Sequence, residues 1–416
     1  MRWLQLVLGL VVMMAISSPQ YVWTLFVKPL QGATGASLPA IQITFSLLVV
    51  LQTWLSPAQG WLVERFGPRL LVAGGAVLSG LGWVVTSQVT SLPMLYLSYG
   101  GLCGVGTGIV YIGVVGLMAR WFPDRRGFAV GMVASGYGMG ALLTTFPIST
   151  MMAASGYSTT LTYYGLLLGG IGMVAALGLR LPTSTDILPP PAVMAVHGYD
   201  TSPRDMLKTP VFWLMFAMMT MMSTGGLMVT SNFANFAKEF GVSSAVVYGM
   251  AALPLALSVD RALNGFTRPF FGWVSDRIGR ENTMGLAFLL EAVAITLLLA
   301  FRSDPVAFVL LSGLVFFGWG EIFSLFPSTL TDTFGTEKAM TNYGFLYMSQ
   351  GIGSVLGGPV AAAIHDGGGS WVPVFSLAIG MDVLTGVLAL FVLKQMRKKY
   401  LGGQATLYAA AVVAAE

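Results

Sequence analysis

"GWLVERFGPR" occupies residues 60–69, and "GWVSDRIGR", residues 272–280, repeats its pattern: Gly-Trp, two variable positions, an acid, an arginine, a variable residue and a glycine. Each copy follows the second apolar stretch of one half of the chain, which marks an internal duplication. The glycine suits a tight turn and close helix approach. Glu64 and Asp276 are placed to accept hydrogen bonds from the N-terminus of a neighbouring helix, and Arg65 and Arg277 are expected to pair with carboxylates or helix ends. These four residues are the candidates for a gate.

Around the two motifs the chain is overwhelmingly apolar. Of its 416 residues 55% are hydrophobic and 9% charged, where a soluble globular protein carries roughly 25% charged residues. Apolar stretches of bilayer-crossing length recur from end to end. Twelve spans are expected, at 3–27, 38–62, 70–89, 93–118, 127–153, 158–180, 210–237, 243–272, 282–301, 306–330, 340–363 and 371–394. Sixteen of the 21 basic residues then fall on one side, and only Lys28, Lys238 and Arg302 on the other. Because basic residues stay on the cytoplasmic side, both termini are expected there. The net charge of +4 reports this topology and gives no reason to expect nucleic-acid binding. The first apolar segment, too long for a signal-peptide core and without a convincing cleavage site, reads as a retained helix.

Residues 181–209 form the only long polar segment, rich in proline, and divide the spans six and six. They read as a cytoplasmic connector with a short helix near "SPRDMLK". The expected organisation is a six-helix half over 1–180, the connector, a second half over 210–400, and a tail over 401–416 open to disorder. The single cysteine, Cys103, lies in a glycine-rich span and reads as packing. So does the methionine-rich run 215–223. His197 lies in the connector and His365 near the outer end of span eleven. No Walker loop, dinucleotide fingerprint or metal-ligand spacing is present, so no enzyme and no cofactor is expected.

Span eight contains "ALNGFTRPFFGW", 262–273, with Arg268 among aromatic and aliphatic neighbours. An arginine near mid-bilayer costs about 2.5–3.5 kcal/mol even on a lenient scale, so it must face a partner or a watered cavity. Asn264 lies one turn earlier and Asp260 another turn before it, a polar stripe on one helix face. The planar guanidinium matches a carboxylate through two parallel hydrogen bonds. Four acids also fall within spans: Asp260, Glu291, Glu321 and Asp382. Each is a proton-site candidate.

The duplicated motif, the span count and the connector together resemble the major facilitator superfamily of transporters over the whole chain, although Glu64 stands where the signature usually has aspartate. "PQYVWTLF" (19–26), "RWFPDRRG" (120–127), "NGFTRPFFGWVSDRIGR" (264–280), "LFPSTLTDTFGT" (325–336) and "NYGFLYMSQ" (342–350) resemble the oxalate/formate antiporter family. The chain is also similar to monocarboxylate transporters that carry lactate or pyruvate with a proton. These resemblances imply an all-α membrane protein of two pseudo-symmetric six-helix halves, with a substrate-binding arginine at the position of Arg268. Gln20, Tyr21, Tyr111, Phe323, Tyr347 and Gln350 match the ligand-cage positions of the oxalate carriers.

Two departures are informative. Gln350 stands where the oxalate carriers have a second cation, a lysine, which suits one carboxylate rather than two. The proton-coupled relatives carry an aspartate where this chain has Asn264, and a lysine that aligns roughly with Tyr21, so proton handling must differ. Spans nine and twelve are peripheral in this fold, so Glu291 and Asp382 are expected to be paired or near an edge. Asp260 and Glu321 become the coupling candidates. The expectation is a monomeric inner-membrane carrier that moves a small monocarboxylate, L-lactate-like, with a proton by alternating access. An oxalate/formate-like exchanger and a non-transporting carboxylate sensor are the alternatives.

Overall fold

The computed structural model describes residues 1–190 and 200–415, so His197 lies outside the described residues. The fold is all-helical, with twelve spans, six on either side of the connector. Among the described residues eight helices are each long and apolar enough to cross a membrane, and the bent pair Leu38–Trp54 and Ser56–Phe66, 51° apart, makes another span. The run Arg126–Leu177 holds two of the spans, because Gly156 breaks it at φ 78°, ψ 167°. Ala252–Ile278 and Ala339–Gly368 complete the twelve; both dilute their apolar character, the first with Asp260, Arg261 and Arg268, the second with glycine.

Helix ends follow local chemistry. Both motif turns close on glycine, Gly67 at φ 86° and Gly279 at φ 93°, each with ψ near 150°, a region that only glycine occupies without strain. The Thr209 hydroxyl caps the helix Pro210–Glu239, and the Asp304 carboxylate caps Pro305–Trp319. In the connector the short helix near 203 forms as Pro203–Met206, its N-terminus accepted by the Ser202 hydroxyl. Upstream, Arg180 grips Asp186 through two hydrogen bonds of 2.7 and 2.9 Å. That guanidinium, helped by the Thr183 amide, holds the Asp186 carboxyl well below its usual range. Among the described residues the only strand pairing is a two-residue hairpin, Val246–Val247 with Met250–Ala251. The last helix, Lys394–Ala415, continues through the alanine-rich tail where composition left room for disorder.

By contact the chain divides into two units: Met1–Pro123 with Met132–Pro189 and Met340–Gly351, and Asp124–Gly131 with Pro190–Ala339 and Ile352–Glu416. The first has a core built on Trp23, Phe26, Trp83 and Tyr99. In the second, Phe375 stacks on Phe236 at 4.2 Å and Phe308 stacks on Phe233 at 4.8 Å. Lipid is as apolar as leucine, so close packing of small residues must hold such helices together. Gly106 and Gly75 accordingly bring their helices into backbone contact. Large apolar side chains such as Leu97, Leu143, Phe146 and Phe391 point outward, as a lipid-facing surface requires.

Candidate functional site

In the second unit, span eight carries Arg268 only 2% exposed. Its Nη2 donates to Asn264 Oδ1 at 3.0 Å, one turn back, and its guanidinium lies 4.6 Å from the centre of the Phe323 ring. Pro269 follows it inside the helix and leaves the Gly265 carbonyl without its usual donor. The backbone of Arg268 and Pro269 is pressed against Gly131 so closely that no β-carbon fits there, and Gly127 meets Gly272 in the same way. The four-residue spacing of these glycines fixes the height at which the arginine sits.

Span ten runs from Pro305 to Phe334, with one irregular turn at Gly320 and Glu321, where both residues keep right-handed helical dihedrals. The Thr267 hydroxyl of span eight donates to the Phe317 carbonyl that the irregular turn would otherwise strand. Gly320 lies against Thr267 and Asn264 with no room for a side chain. Through this contact Phe323 reaches Arg268, and Glu321 comes within its electrostatic reach.

Asp260 is buried as well, but among the described residues it forms no salt bridge, and the Ser312 hydroxyl is its neighbouring polar group. Arg261 beside it is exposed. Ser312, in electrostatic contact with Asp260, gives its hydroxyl to the Val309 carbonyl. Glu291 and Asp382 are not near an edge: they are 1% and 0% exposed and interact with each other. Helices that are peripheral in the fold still turn one face to the interior, and both acids sit on that face.

The first unit holds a cluster of aromatic rings and amides. Tyr111 stacks on Tyr347 at 4.8 Å and 16°. Tyr137 packs edge-on against Tyr111 and Tyr21 at 5.4 and 5.5 Å, and its hydroxyl donates to Gln20 Oε1 at 2.6 Å. Gln52 Nε2 donates to the Tyr347 hydroxyl at 3.3 Å. Gln350, three residues beyond Tyr347 and hence on the same helix face, is also buried. Gln20, Tyr21, Tyr111 and Tyr347 are therefore gathered in one place, while Phe323 belongs to the arginine site. Sequence reasoning missed Tyr137 and Gln52. A lone amide in "LLVVLQTWL" (47–55) was a usable signal, since an apolar span has no use for one unless it is partnered.

The two motif acids do what their position suggested. Glu64 Oε1 accepts the Met340 and Thr341 amides at 2.9 and 3.1 Å, and its Oε2 accepts the Thr341 hydroxyl at 2.6 Å. Asp276 accepts the Gly127 and Phe128 amides, each at 2.9 Å. Each acid thus caps the first turn of a helix and meets the positive end of its dipole. The expectation for Arg65 and Arg277 is corrected: they lie over Trp61 and Trp273, at 5.1 and 3.9 Å from the ring centres. Arg120 and Arg280 take the acids instead, at 3.8 and 2.6 Å. Arg280 also bonds Asp332, as does Arg126. Both partners stand in the quoted motifs, but nothing in the spacing pairs them.

Among the described residues no group of His, Cys, Asp and Glu is disposed to hold a metal ion. What the geometry offers is one buried planar cation beside an aromatic face, buried acids, and a separate aromatic cluster with amide tips. Comparison with known proteins adds the lineage. The sequence pattern of the Major Facilitator Superfamily matches residues 6–265 and 257–406. The chain is 36% identical to the oxalate:formate antiporter of Oxalobacter formigenes over 95% of its own length and 92% of that protein. It is 26% identical to monocarboxylate transporter 13 of Bos taurus, over 84% and 79% respectively. Among solved structures it resembles a transporter of the same superfamily, FucP in the outward conformation, with a TM-score of 0.70 over 93% of this chain and 98% of that one at 14% identity.

Proposed function

The chain belongs to the Major Facilitator Superfamily and is a multi-pass membrane transporter; from that premise we propose that it moves a small monocarboxylate, L-lactate-like, together with a proton. The carrying observation is Arg268, buried with its Nη2 donating to Asn264 and its guanidinium over the Phe323 ring. A single fork matches a single carboxylate, and the aromatic face suits the apolar body of a short organic acid. Asn264 orients the guanidinium. Gln20, Tyr21, Tyr111, Tyr347 and Gln350 are the proposed cage, and Asp260 and Glu321 the coupling candidates. Buried acids that form no salt bridge among the described residues supply the proton sites that symport needs. We place the protein in the inner membrane as a monomer with cytoplasmic termini, as the basic-residue asymmetry supports.

The 36% identity to an oxalate:formate antiporter favours a second reading, anion exchange without a proton. Uptake into proteoliposomes separates the two. Symport requires an inward proton gradient to drive L-lactate accumulation into vesicles that hold no counter-substrate. If uptake needs internal carboxylate and ignores the gradient, the carrier is an exchanger.

Charge selection follows from Gln350. Gln350→Lys is expected to raise oxalate binding relative to L-lactate, because a second cation meets the second carboxylate. An unchanged ratio in competition assays removes Gln350 from the cage.

Glu64 and Asp276 are proposed to hold the cytoplasmic gate through the helix ends that they cap. Glu64→Gln and Asp276→Asn each lose a charged cap worth about 1 kcal/mol, equivalent to about fivefold faster amide exchange. The increase is expected at Met340 and Thr341 in the first variant and at Gly127 and Phe128 in the second. Unaltered exchange at these four amides refutes the gate assignment.

A further inference from the structure

Glu291, Glu321 and Asp382 come from spans nine, ten and twelve, and they meet in the interior of the second unit. They are 1%, 0% and 0% exposed, and among the described residues no other residue gives a hydrogen bond to any of their oxygens. Glu291 is in electrostatic contact with Asp382 and Glu321, and Glu321 with Asp382 and Arg268. The packing around them is tight. Gly318 rests directly on the backbone and β-carbon of Glu291, and Gly225 of span seven faces the Asp382 carboxylate. The irregular turn of span ten adds an independent feature, since Gly320, next to Glu321, rests on Asn264 and Thr267 of the arginine's helix.

Carboxylates in such surroundings need a ligand. An ionised carboxylate buried without a partner costs several kcal/mol, and neighbouring like charges add to that cost. The three groups are not disposed around a metal ion. Of the charged groups on the elements packed here, Asp260 and Arg268 of span eight are buried within the span; Arg261 is exposed, Asp276, Arg277, Arg280, Glu281 and Asp332 lie at the motif end of spans eight, nine and ten, and span seven has none between 211 and 237.

We propose that Glu291, Glu321 and Asp382 form one proton-binding site, and that Arg268 controls its exchangeable member, Glu321. The inference rests on the proton-coupled reading above and identifies where the coupled proton is held. In the empty carrier the Glu321 carboxylate offsets the Arg268 guanidinium. When a substrate carboxylate takes the guanidinium, Glu321 loses that compensation and accepts a proton from water on the open side. One negative charge and one proton enter together, so the interior carries the same net charge empty or loaded. The arginine is never left as an uncompensated buried charge on the return step. Proton uptake on binding also fixes the sign of the pH dependence: substrate affinity rises as pH falls.

The test measures proton uptake directly. Purified protein in weakly buffered detergent solution is mixed with L-lactate, and an indicator dye reads the protons taken up. The wild type is expected to take up about one proton per lactate bound. Glu321→Gln is expected to take up none, and its lactate affinity to lose pH dependence. Glu291→Gln and Asp382→Asn are expected to shift the pH midpoint of lactate affinity and to reduce gradient-driven accumulation more than exchange. Asp260→Asn discriminates between the two coupling candidates: uptake retained there and lost in Glu321→Gln assigns the proton to Glu321. Full uptake by Glu321→Gln, or its loss in Asp260→Asn alone, overturns the assignment, and so does accumulation driven by a sodium gradient at equal pH. If the wild type itself takes up no proton, symport fails and not merely its location. Should Glu321→Gln not fold, judged by gel filtration, the midpoint shifts in the other two variants decide the matter: their absence sinks the proposal.

Discussion

Arg268→Gln is expected to abolish carboxylate transport while leaving the protein folded in the membrane, and Arg268→Lys to restore little of it. Truncating one partner of a buried, hydrogen-bonded charge pair costs about 2–5 kcal/mol, or about 30- to 5,000-fold in substrate affinity. Lysine keeps the charge but forfeits the planar fork and its stacking on Phe323. Stability should move the other way. Holding an arginine at this depth costs about 2.5–3.5 kcal/mol, so the glutamine variant is expected to unfold in detergent at a temperature no lower than the wild type. Loss of activity with an undiminished unfolding temperature separates a binding role from a structural one. A lysine variant that transports at the wild-type rate would falsify two-point recognition.

How much of this site was legible depended on whether its parts share a helix. Asn264 and Arg268 are four residues apart, and helical periodicity alone places them together, as the 3.0 Å hydrogen bond between them bears out. Glu321 was visible as an acid in an apolar run, but its approach to Arg268 depends on Gly320 packing against Asn264 and Thr267 of span eight, a contact between helices that the sequence does not specify. Glu291 and Asp382 illustrate the same limit: a residue's helix was known, its face was not.

The motif cations show a different failure. Arg65 and Arg277 directly follow their acids, and adjacent residues on a helix point about 100° apart, so they cannot turn to the same partner. Asp276 is met instead by Arg280, which the Gly279 turn returns to it. In the first half the residue equivalent to Arg280 is Arg69 or Pro68 depending on register, and the cation at Glu64 is supplied from span four by Arg120. Duplication thus preserved the acid and its cap and let the cation be recruited separately.

Asp332 is where the largest loss of stability is expected. Its carboxylate takes the guanidinium of Arg126 on one oxygen and Arg280 Nε on the other, at 2.7 Å for the latter, and all three residues are buried. Arg397 stands close by, bonded to Thr333 and Glu281 and in electrostatic contact with Asp332. Replacement by asparagine removes the counter-charge without removing volume, so the cost is that of buried cations left uncompensated, about 3–5 kcal/mol. Arg280 keeps Asp276 at 2.6 Å, so the ion pair to follow is the one between Asp332 and Arg126. A double-mutant cycle checks this: Asp332→Asn with Arg126→Gln removes one charge of each sign and is expected to be more stable than the sum of the single losses allows. Unfolding midpoints in detergent, with the four proteins at one lipid and salt composition, supply the measurement. Additive losses would mean that Arg126 does not depend on Asp332 and that another group holds the start of span five.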